Sequence, residues 1–222
     1  MIRIVLSSSL LYNEMGDNMK TINENNLEIN TQLFHDEETY VHQMFKEDDY
    51  SGLTVFQIDM KNCVIKDMAL TDSTYDHCYF VDVVFDHCDL SNTTFRETLF
   101  RHVQFINCKM LGLHIDESLI EVTTFQQCLM HYSSFYKDTM KSVKHEQSQM
   151  KESFLTDCTL KDTHFLECDL TGSEIDHTAL KGIDLSTCQL AALRISPMDL
   201  KGALISEWQA IDLVGLLGVI IK

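Results

Sequence analysis

Apolar side chains recur at every fifth residue over most of the sequence. Between Tyr50 and Ile205, 31 of the 32 positions with numbers ending in 0 or 5 hold Leu, Ile, Val, Met, Phe or Tyr. The residue two places earlier is Cys, Ser, Thr, Ala or Val at 23 of 32 positions. The repeating unit is therefore five residues long, with one small and one apolar residue pointing inward and three residues facing solvent.

A period of five matches neither the 3.6-residue period of a helix nor the two-residue period of a strand. A chain that turns a corner every five residues completes four sides in twenty residues and then stacks on itself, with coils about 4.8 Å apart. Residues 46–205 then form an all-β solenoid, a quadrilateral β-helix of about eight coils. The cysteines that follow the twenty-residue period are Cys88, Cys108, Cys128, Cys168 and Cys188.

The N-terminal end leaves the five-residue register. Residues 1–45 are predicted to form an N-terminal acidic arm and cap. The alternation at Leu27, Ile29, Thr31 and Leu33 indicates a short strand that covers the first coil, and a disordered acidic arm is the alternative. The start of translation is left open among three methionines: Met1, Met15 and Met19.

The C-terminal end, residues 206–222, is predicted to be a helix and dimerisation element. Ser206 and Gln209 have the spacing of a capping box, Gly218 can end the helix, and Val219–Ile221 can form a short strand. The apolar residues surround too much of the helix for one buried face, which predicts a two-fold homodimer. A cap without a dimer is the alternative. The predicted interface residues are Trp208, Ile211, Val214 and Leu217.

Two inward positions carry groups that do not suit an apolar interior. Asp138 occupies a small position, and His145 is the one polar residue in the apolar series. The sequence predicts that these two side chains pair, because buried polar groups need hydrogen-bond partners. Residues 136–149 are predicted to form either a distorted coil or a loop that preserves the register.

Two Asp-His-Cys triplets, at residues 76–78 and 86–88, contain the residue types of a nucleophile or a metal site. The repeat turns each histidine outward and each cysteine inward, so the two cannot act together. With no metal or phosphate motif, the sequence predicts no enzyme, no metal and no cofactor. Inward cysteines and the lack of a signal peptide predict reduced thiols, a cytoplasmic location and no membrane association.

The charge distribution indicates a basic partner. The formal net charge of −17 argues against direct nucleic acid binding. Three sides of the predicted coil carry 16 acidic and 7 basic residues, whereas the fourth side carries 6 of each. The basic residues of that fourth side form a column: Lys61, Arg101, Lys141, Lys161, Lys181 and Lys201.

The sequence resembles the pentapeptide-repeat proteins in runs such as CDLSNTTF (88–95) and CDLTGSEI (168–175). The tail SEWQAIDLVGLLGVIIK (206–222) is similar to the end of the Qnr quinolone-resistance group within that family. The resemblance implies a right-handed β-helix, a homodimer, and a non-enzymatic protein that imitates DNA. Such a protein would bind the type II topoisomerases DNA gyrase and topoisomerase IV and protect them from quinolones.

The outward acids of the three acidic sides are the predicted partner-binding residues. They are Asp76, Asp86, Glu97, Asp116, Glu117, Asp157, Glu167, Glu174, Asp176 and Asp184. Many Qnr proteins carry projecting loops, for which the register here leaves room only near residues 136–149. The alternatives are an interaction scaffold unrelated to topoisomerases and an immunity protein against a gyrase-directed toxin.

Overall fold

Successive coils stack with an offset of twenty residues in the computed structural model, which describes residues 22–32 and 34–217. Tyr79–Asp86 pairs in parallel with Leu99–Ile106, so that Phe80 lies opposite Phe100. The same offset relates nearly every other strand pair. The fold is a parallel β-solenoid of about eight turns, which confirms the prediction from the five-residue period.

The strands are short because each side of the coil is short. In chain order they are β1 (Glu28–Ile29), β2 (Thr39–Val41), β3 (Gln43–Lys46), β4 (Thr54–Phe56), β5 (Asp59–Lys66), β6 (Thr74–Asp76), β7 (Tyr79–Asp86), β8 (Thr94–Arg96), β9 (Leu99–Ile106), β10 (His114–Asp116), β11 (Leu119–Glu121), β12 (Thr124–Gln126), β13 (Ser134–Tyr136), β14 (Thr139–Lys141), β15 (Lys144–Glu146), β16 (Phe154–Thr156), β17 (Thr159–Lys161), β18 (His164–Leu166), β19 (Glu174–Asp176) and β20 (Arg194–Ile195).

The strands divide into two parallel sheets. Eight strands, β4, β6, β8, β10, β13, β16, β19 and β20, form the sheet on one side of the coil, and the other twelve form a sheet that covers two adjacent sides. On the remaining side, single bridges such as Asp89↔Lys109 connect the coils.

The corners are formed by residues in the left-handed backbone region. In the part of the chain that the structure describes, twenty-seven residues other than glycine have φ between 47° and 61°, and the number of each ends in 2 or 7. About half of them are Asn, Asp or His, the types that best tolerate this conformation. The third outward position of the repeat therefore turns the chain.

The interior consists of stacked columns of identical or similar side chains. Phe85, Phe105 and Phe125 stack with ring centroids 4.8 and 4.9 Å apart. All eight cysteines are buried and unbridged. The Cys88 thiol donates to the Ile65 carbonyl oxygen at 3.2 Å, and the other members of its column do likewise with the residue 23 places earlier.

The predicted pairing of Asp138 with His145 is wrong. Strands β13, β14 and β15 keep their register, so residues 136–149 form a regular coil and not a loop. His145 stacks between Phe125 and Phe165 at 4.8 and 4.9 Å, and neither of its ring nitrogens has a hydrogen-bond partner. Asp138 accepts a hydrogen bond from the backbone N–H of Ser118. The twenty-residue column, and not the contact within one coil, decides where each side chain lies.

Within residues 34–217, the strand pairing between adjacent coils is interrupted at one place. Strands β17 and β18 pair with the preceding coil, and no bridge joins them to residues 179–187. The N–H of Ser186 donates to the Asp184 carboxylate at 2.8 Å, and the N–H of Glu167 donates to the Thr187 hydroxyl at 3.0 Å. A groove of about 170 Å³ lies in this opening, against Phe165 and Leu166.

At the N-terminal end, stacking begins before residue 46. Strand β2 pairs with Asp59–Lys61, and β1 pairs with Gln43–Met44. A 3₁₀ turn, Glu24–Asn26, precedes β1. The predicted alternation at residues 27–33 contains a strand of only two residues, and Leu33 lies outside the described residues.

At the C-terminal end, two helices close the last coil: α1 (Pro197–Leu200) and α2 (Glu207–Val214). The predicted capping box is confirmed, since the Ser206 hydroxyl accepts from the Gln209 N–H and the Gln209 side chain accepts from the Ser206 N–H. A 3₁₀ turn follows at Gly215–Leu217. The predicted helix end at Gly218 and the strand at 219–221 lie outside the described residues.

Candidate functional site

Seven of the ten predicted partner-binding acids lie along the eight-stranded sheet and the corner that follows it. Strand register aligns Asp76, Arg96 and Asp116, and then Tyr136, Thr156 and Asp176, in one column. We call the seven acids the acidic face: Asp76, Glu97, Asp116, Glu117, Asp157, Glu174 and Asp176.

The other three predicted acids lie elsewhere. Asp86 ends strand β7 of the twelve-stranded sheet. Glu167 follows β18 at a corner of that sheet, and Asp184 borders the groove between the coils. The ten residues therefore do not form one surface.

Basic groups lie against most of the acidic face. His77 bridges Asp76 and Glu97, with its Nε2 atom 3.1 Å from the Glu97 carboxylate. The hydrogen bond to Asp76 raises the pKa of His77 above its usual value. The acidic face therefore loses net charge as the pH falls and this histidine becomes protonated.

Ion pairs along the same sheet neutralise further acids. Glu117 pairs with Lys137 at 3.3 Å, and Glu174 pairs with Arg194 at 3.0 Å. His177 contacts both Asp176 and Asp157, at 3.1 and 3.7 Å. These exposed pairs reduce the net field of the surface more than they stabilise the fold.

Asp116 differs from its neighbours on the acidic face. Its half-buried carboxylate has no ion pair and no hydrogen bond within the described part of the chain. Burial raises the pKa of this carboxyl group, and the nearby charges of His114 and Arg96 partly oppose the shift. A cation supplied from outside would lower the pKa again, since opposite charge favours the ionised carboxylate.

Two aromatic side chains, Tyr136 and Phe154, project from the eight-stranded sheet near Asp116, and Tyr132 lies at the corner before β13. The sequence interpretation did not single out these three residues. The exposed fractions of Tyr132, Tyr136 and Phe154 are 57%, 36% and 37%. We call these residues the aromatic patch. The signal in the sequence was present, because all three occupy outward positions of the five-residue repeat, where aromatic residues are otherwise scarce.

The lysine-edged fourth side is partly neutralised. Glu121 interrupts the basic column and forms ion pairs with both of its neighbours, Arg101 at 2.8 Å and Lys141 at 3.0 Å. Hydrogen bonds from Lys141 and Arg101 lower the pKa of Glu121. This side therefore offers less free positive charge than the sequence count suggests.

The C-terminal end exposes apolar surface. Trp208 is 81% exposed and Ile211 is 53% exposed, whereas Val214 is half-buried. Near the same end, Met198 is 84% exposed and Leu204 is 56% exposed, and the sequence interpretation missed both. The side chain of the fourth predicted dimer residue, Leu217, lies outside what the structure describes.

The helix α2 is held to the last coil from its other face. Leu213 is buried, and the side-chain amide of Gln209 donates to the carbonyl oxygens of Leu185 and Cys188 at 2.7 and 2.6 Å. Gln209 thus satisfies backbone acceptors at the open end of the solenoid while it caps its own helix.

The Asp-His-Cys triplets do not form dyads. His77 faces outward on the acidic face, whereas Cys78 is fully buried, and His87 and Cys88 are separated in the same way. Burial raises the pKa of the Cys78 thiol to about 11. Within residues 22–32 and 34–217, no group of three His, Cys, Asp or Glu side chains could hold a metal ion, and no helix could span a membrane.

Comparison with known sequences identifies the repeats. The family described as Pentapeptide repeat region matches residues 78–155, and the family described as Pentapeptide repeats (8 copies) matches residues 148–186. The comparison with curated proteins gives no match.

Several solved structures are similar to this chain. The chain is similar to HetL, a pentapeptide repeat protein involved in heterocyst differentiation regulation from the cyanobacterium Nostoc, with 12% identity over 78% of this chain and 86% of HetL, and a TM-score of 0.48. It is similar to full-length QnrB1, a plasmid-mediated fluoroquinolone resistance protein, with 15% identity over 82% of this chain and 100% of QnrB1, and a TM-score of 0.35. At such identities the likeness concerns the fold alone.

Proposed function

We propose that this chain, whose residues 78–155 and 148–186 match pentapeptide repeats, is a pentapeptide-repeat protein that binds the DNA-binding surface of a type II topoisomerase. The partner would be DNA gyrase or topoisomerase IV, and the bound protein would lessen poisoning of the enzyme by quinolones. The proposal rests on the alignment of seven acids along one side of a straight rod and on the Qnr-like tail at residues 206–222.

The arrangement of the acidic face supports this proposal. Parallel strands place successive carboxylates of a column at multiples of about 4.8 Å, which suits a partner whose cations are arranged to follow a DNA backbone. Such a partner recognises shape and charge together, and steering by charge would raise its association rate.

The magnitude of the charge limits how far the imitation extends. Duplex DNA carries one negative charge per roughly 1.7 Å. The 16 acids and 7 bases of the three acidic sides leave a net 9 charges over a rod about 38 Å long, or one per roughly 4 Å. The ion pairs of Lys137 and Arg194 account for part of this reduction. Shape and specific contacts must therefore supply the rest of the affinity.

A dimer would extend the binding surface. Trp208 and Ile211 lie three residues apart on one face of α2 and both are exposed. Pairing of these faces about a two-fold axis would join two solenoids end to end and double the length of the acidic face.

A scaffold unrelated to topoisomerases is the second candidate, and the extensive pairing of the acids favours it. An acidic face whose carboxylates mostly contact histidine, lysine or arginine keeps a protein soluble without having to imitate DNA. In this case the aromatic patch and the apolar C-terminal end would carry the interactions.

Gyrase supercoiling in the presence of ciprofloxacin tests the proposal. Added protein should restore supercoiling at low salt and less so at high salt, because the contact depends on charge. The charge reversal Asp116→Lys with Glu117→Lys should abolish the rescue. The matched reversal Asp59→Lys with Asp67→Lys changes one strand residue and one corner residue on the other sheet, and it should keep the rescue. No rescue and no inhibition at any ratio would favour the scaffold.

A further inference from the structure

The acidic face and the aromatic patch meet at one point of the eight-stranded sheet. Asp116 of β10 lies directly opposite Tyr136 of β13, so the two side chains project from the same side of adjacent strands. Phe154 of β16 lies opposite Ser134, so it is one coil beyond Tyr136 and displaced from it by two residues along the strand. A half-buried carboxylate therefore lies beside a partly exposed aromatic ring, and Phe154 occupies a diagonal position on the next strand.

A cation of the chain itself already lies over this ring. The ammonium group of Lys137 lies 4.8 Å from the centroid of the Tyr136 ring and 3.3 Å from the Glu117 carboxylate. Such a position over the ring face is where a cation is attracted by the aromatic quadrupole. The site thus accepts positive charge, although Lys137 does not pair with Asp116.

Arginine matches this combination of groups better than lysine does. A guanidinium group is planar, can stack on an aromatic ring, and can donate two parallel hydrogen bonds to one carboxylate. An ammonium group is a compact charge that is more strongly hydrated, so it gains less from a half-buried carboxylate beside a ring.

We propose that Asp116 and Tyr136 form a binding site for an arginine side chain of a basic protein segment. The guanidinium group would donate to the Asp116 carboxylate and stack on the Tyr136 ring, with Phe154 beside it and Lys137 displaced towards Glu117. The inference rests on the proposed use of the acidic face, and it adds that the partner presents arginine at this coil.

The arginine-binding site can be tested directly with two fluorescent peptides of equal length and charge, one of seven arginines and the other of seven lysines. At about 0.1 M salt the arginine peptide should bind the intact protein roughly three- to fivefold more tightly, the gain expected of an exposed cation–π contact. In Tyr136→Ala and in Asp116→Asn the ratio between the two peptides should fall close to one. Tyr79→Ala removes a ring that is 49% exposed on the other sheet, and it should leave the ratio unchanged.

The competing lysine gives a second readout. Lys137→Ala frees the Tyr136 ring, and it should strengthen binding of the arginine peptide more than Lys161→Ala does, although both variants remove one positive charge. Equal affinity of the intact protein for both peptides would overturn the proposal, as would a preference that survives in Tyr136→Ala. Because no topoisomerase is present, failure here is distinct from failure of the supercoiling test.

Discussion

At the residue scale, the corners of the coil combine a strained backbone with ordinary side chains. Val122 is the one β-branched residue among the corner positions with positive φ in the described chain, at φ 48°. A β-branched side chain clashes with its own backbone in this region, whereas Asn tolerates it. The repeat evidently holds Val122 in place through the hydrogen bond from its N–H to the Lys141 carbonyl oxygen, at 2.9 Å.

Val122→Asn should therefore stabilise the protein by about 1 kcal/mol, because it relieves left-handed strain without changing the interior. The measurement is the urea concentration at the midpoint of unfolding. Val81→Asn is the control, since Val81 lies in strand β7 and has no positive φ. An equal effect of both substitutions would show that the corner conformation is not the cause.

A second residue-scale feature is the buried carboxyl group of Asp138. Burial raises the pKa of Asp138 to about 8 from its ordinary 3.8, so the folded protein keeps a proton that the unfolded chain releases. Stability is therefore lost as the pH rises from about 4 to 8. Burial of His145 lowers its pKa to about 3 from 6.5, so this histidine costs stability as the pH falls below 6.5.

Asp138→Ser should increase stability, and the gain should grow by roughly 2 kcal/mol between pH 6.5 and pH 8, at about 1.4 kcal/mol per unit of pH. Serine fits the column, since the Ser118 hydroxyl accepts from the Thr98 N–H at 3.0 Å just as Asp138 accepts from Ser118. Urea unfolding at the two pH values measures the effect. Asp59→Ser on the exposed edge of β5 is the control. A gain for Asp138→Ser that did not vary with pH would contradict the account.

At the element scale, helix α2 closes the solenoid through a side chain and not through apolar contact alone. The Gln209 side chain makes three hydrogen bonds, one within the cap and two to carbonyl oxygens of the last coil. Truncation would leave the Cys188 carbonyl oxygen unsatisfied in a region that is largely shielded from water, whereas the Leu185 carbonyl oxygen would still accept from the Cys188 N–H at 2.9 Å.

Gln209→Ala should lower the free energy of unfolding by about 1–3 kcal/mol, because a buried acceptor left without a partner costs about that much. Gln189→Ala, on an exposed outward position of the same coil, should cost less than about 0.5 kcal/mol. Amide hydrogen exchange can locate the loss, which should begin at the last coil. Uniform loss along the rod, or no loss, would argue against a capping role.

The elements also show what the sequence pattern can and cannot predict. The five-residue period predicted the coil and the inward cysteines, and the spacing of Ser206 and Gln209 predicted the capping box, because each depends on local spacing. The predicted pairing of Asp138 with His145 conflicted with the twenty-residue coil, which places residues seven apart in separate columns. The opening beside β18 was also missed, because it depends on side-chain hydrogen bonds of Asp184 and Thr187 that replace the backbone ladder.

At the scale of the whole molecule, the exposed C-terminal end predicts self-association. Trp208→Asp places a charge in the centre of the proposed two-fold contact and should convert a dimer to a monomer, which gel filtration with light scattering would detect. Trp208 is 81% exposed, so the fold should tolerate the change. Met198→Asp, also highly exposed but outside α2, shows whether a charge anywhere at this end has the same effect. An unaltered mass for Trp208→Asp would exclude the α2 face from the dimer contact.

The candidate surface was predicted in part from the sequence. Outward acids such as Asp116 and Glu117 were found from the period, and the column register then grouped seven of ten on one sheet. Their histidine and lysine partners could not be predicted, because pairs such as Glu117 with Lys137 join residues one coil apart through side-chain conformation. The aromatic patch became visible only when Tyr136 and Phe154 were placed on adjacent strands.

Competition with duplex DNA for gyrase tests the central claim most directly. The protein should displace labelled DNA from the enzyme, and Asp116→Lys with Glu117→Lys should weaken displacement by at least about tenfold, or 1.4 kcal/mol, through like-charge contact. The reversal Asp59→Lys with Asp67→Lys should change it by less than about twofold. Failure to displace DNA, or an equal loss for both reversals, would contradict the claim that the acidic face of this solenoid occupies a DNA-binding surface.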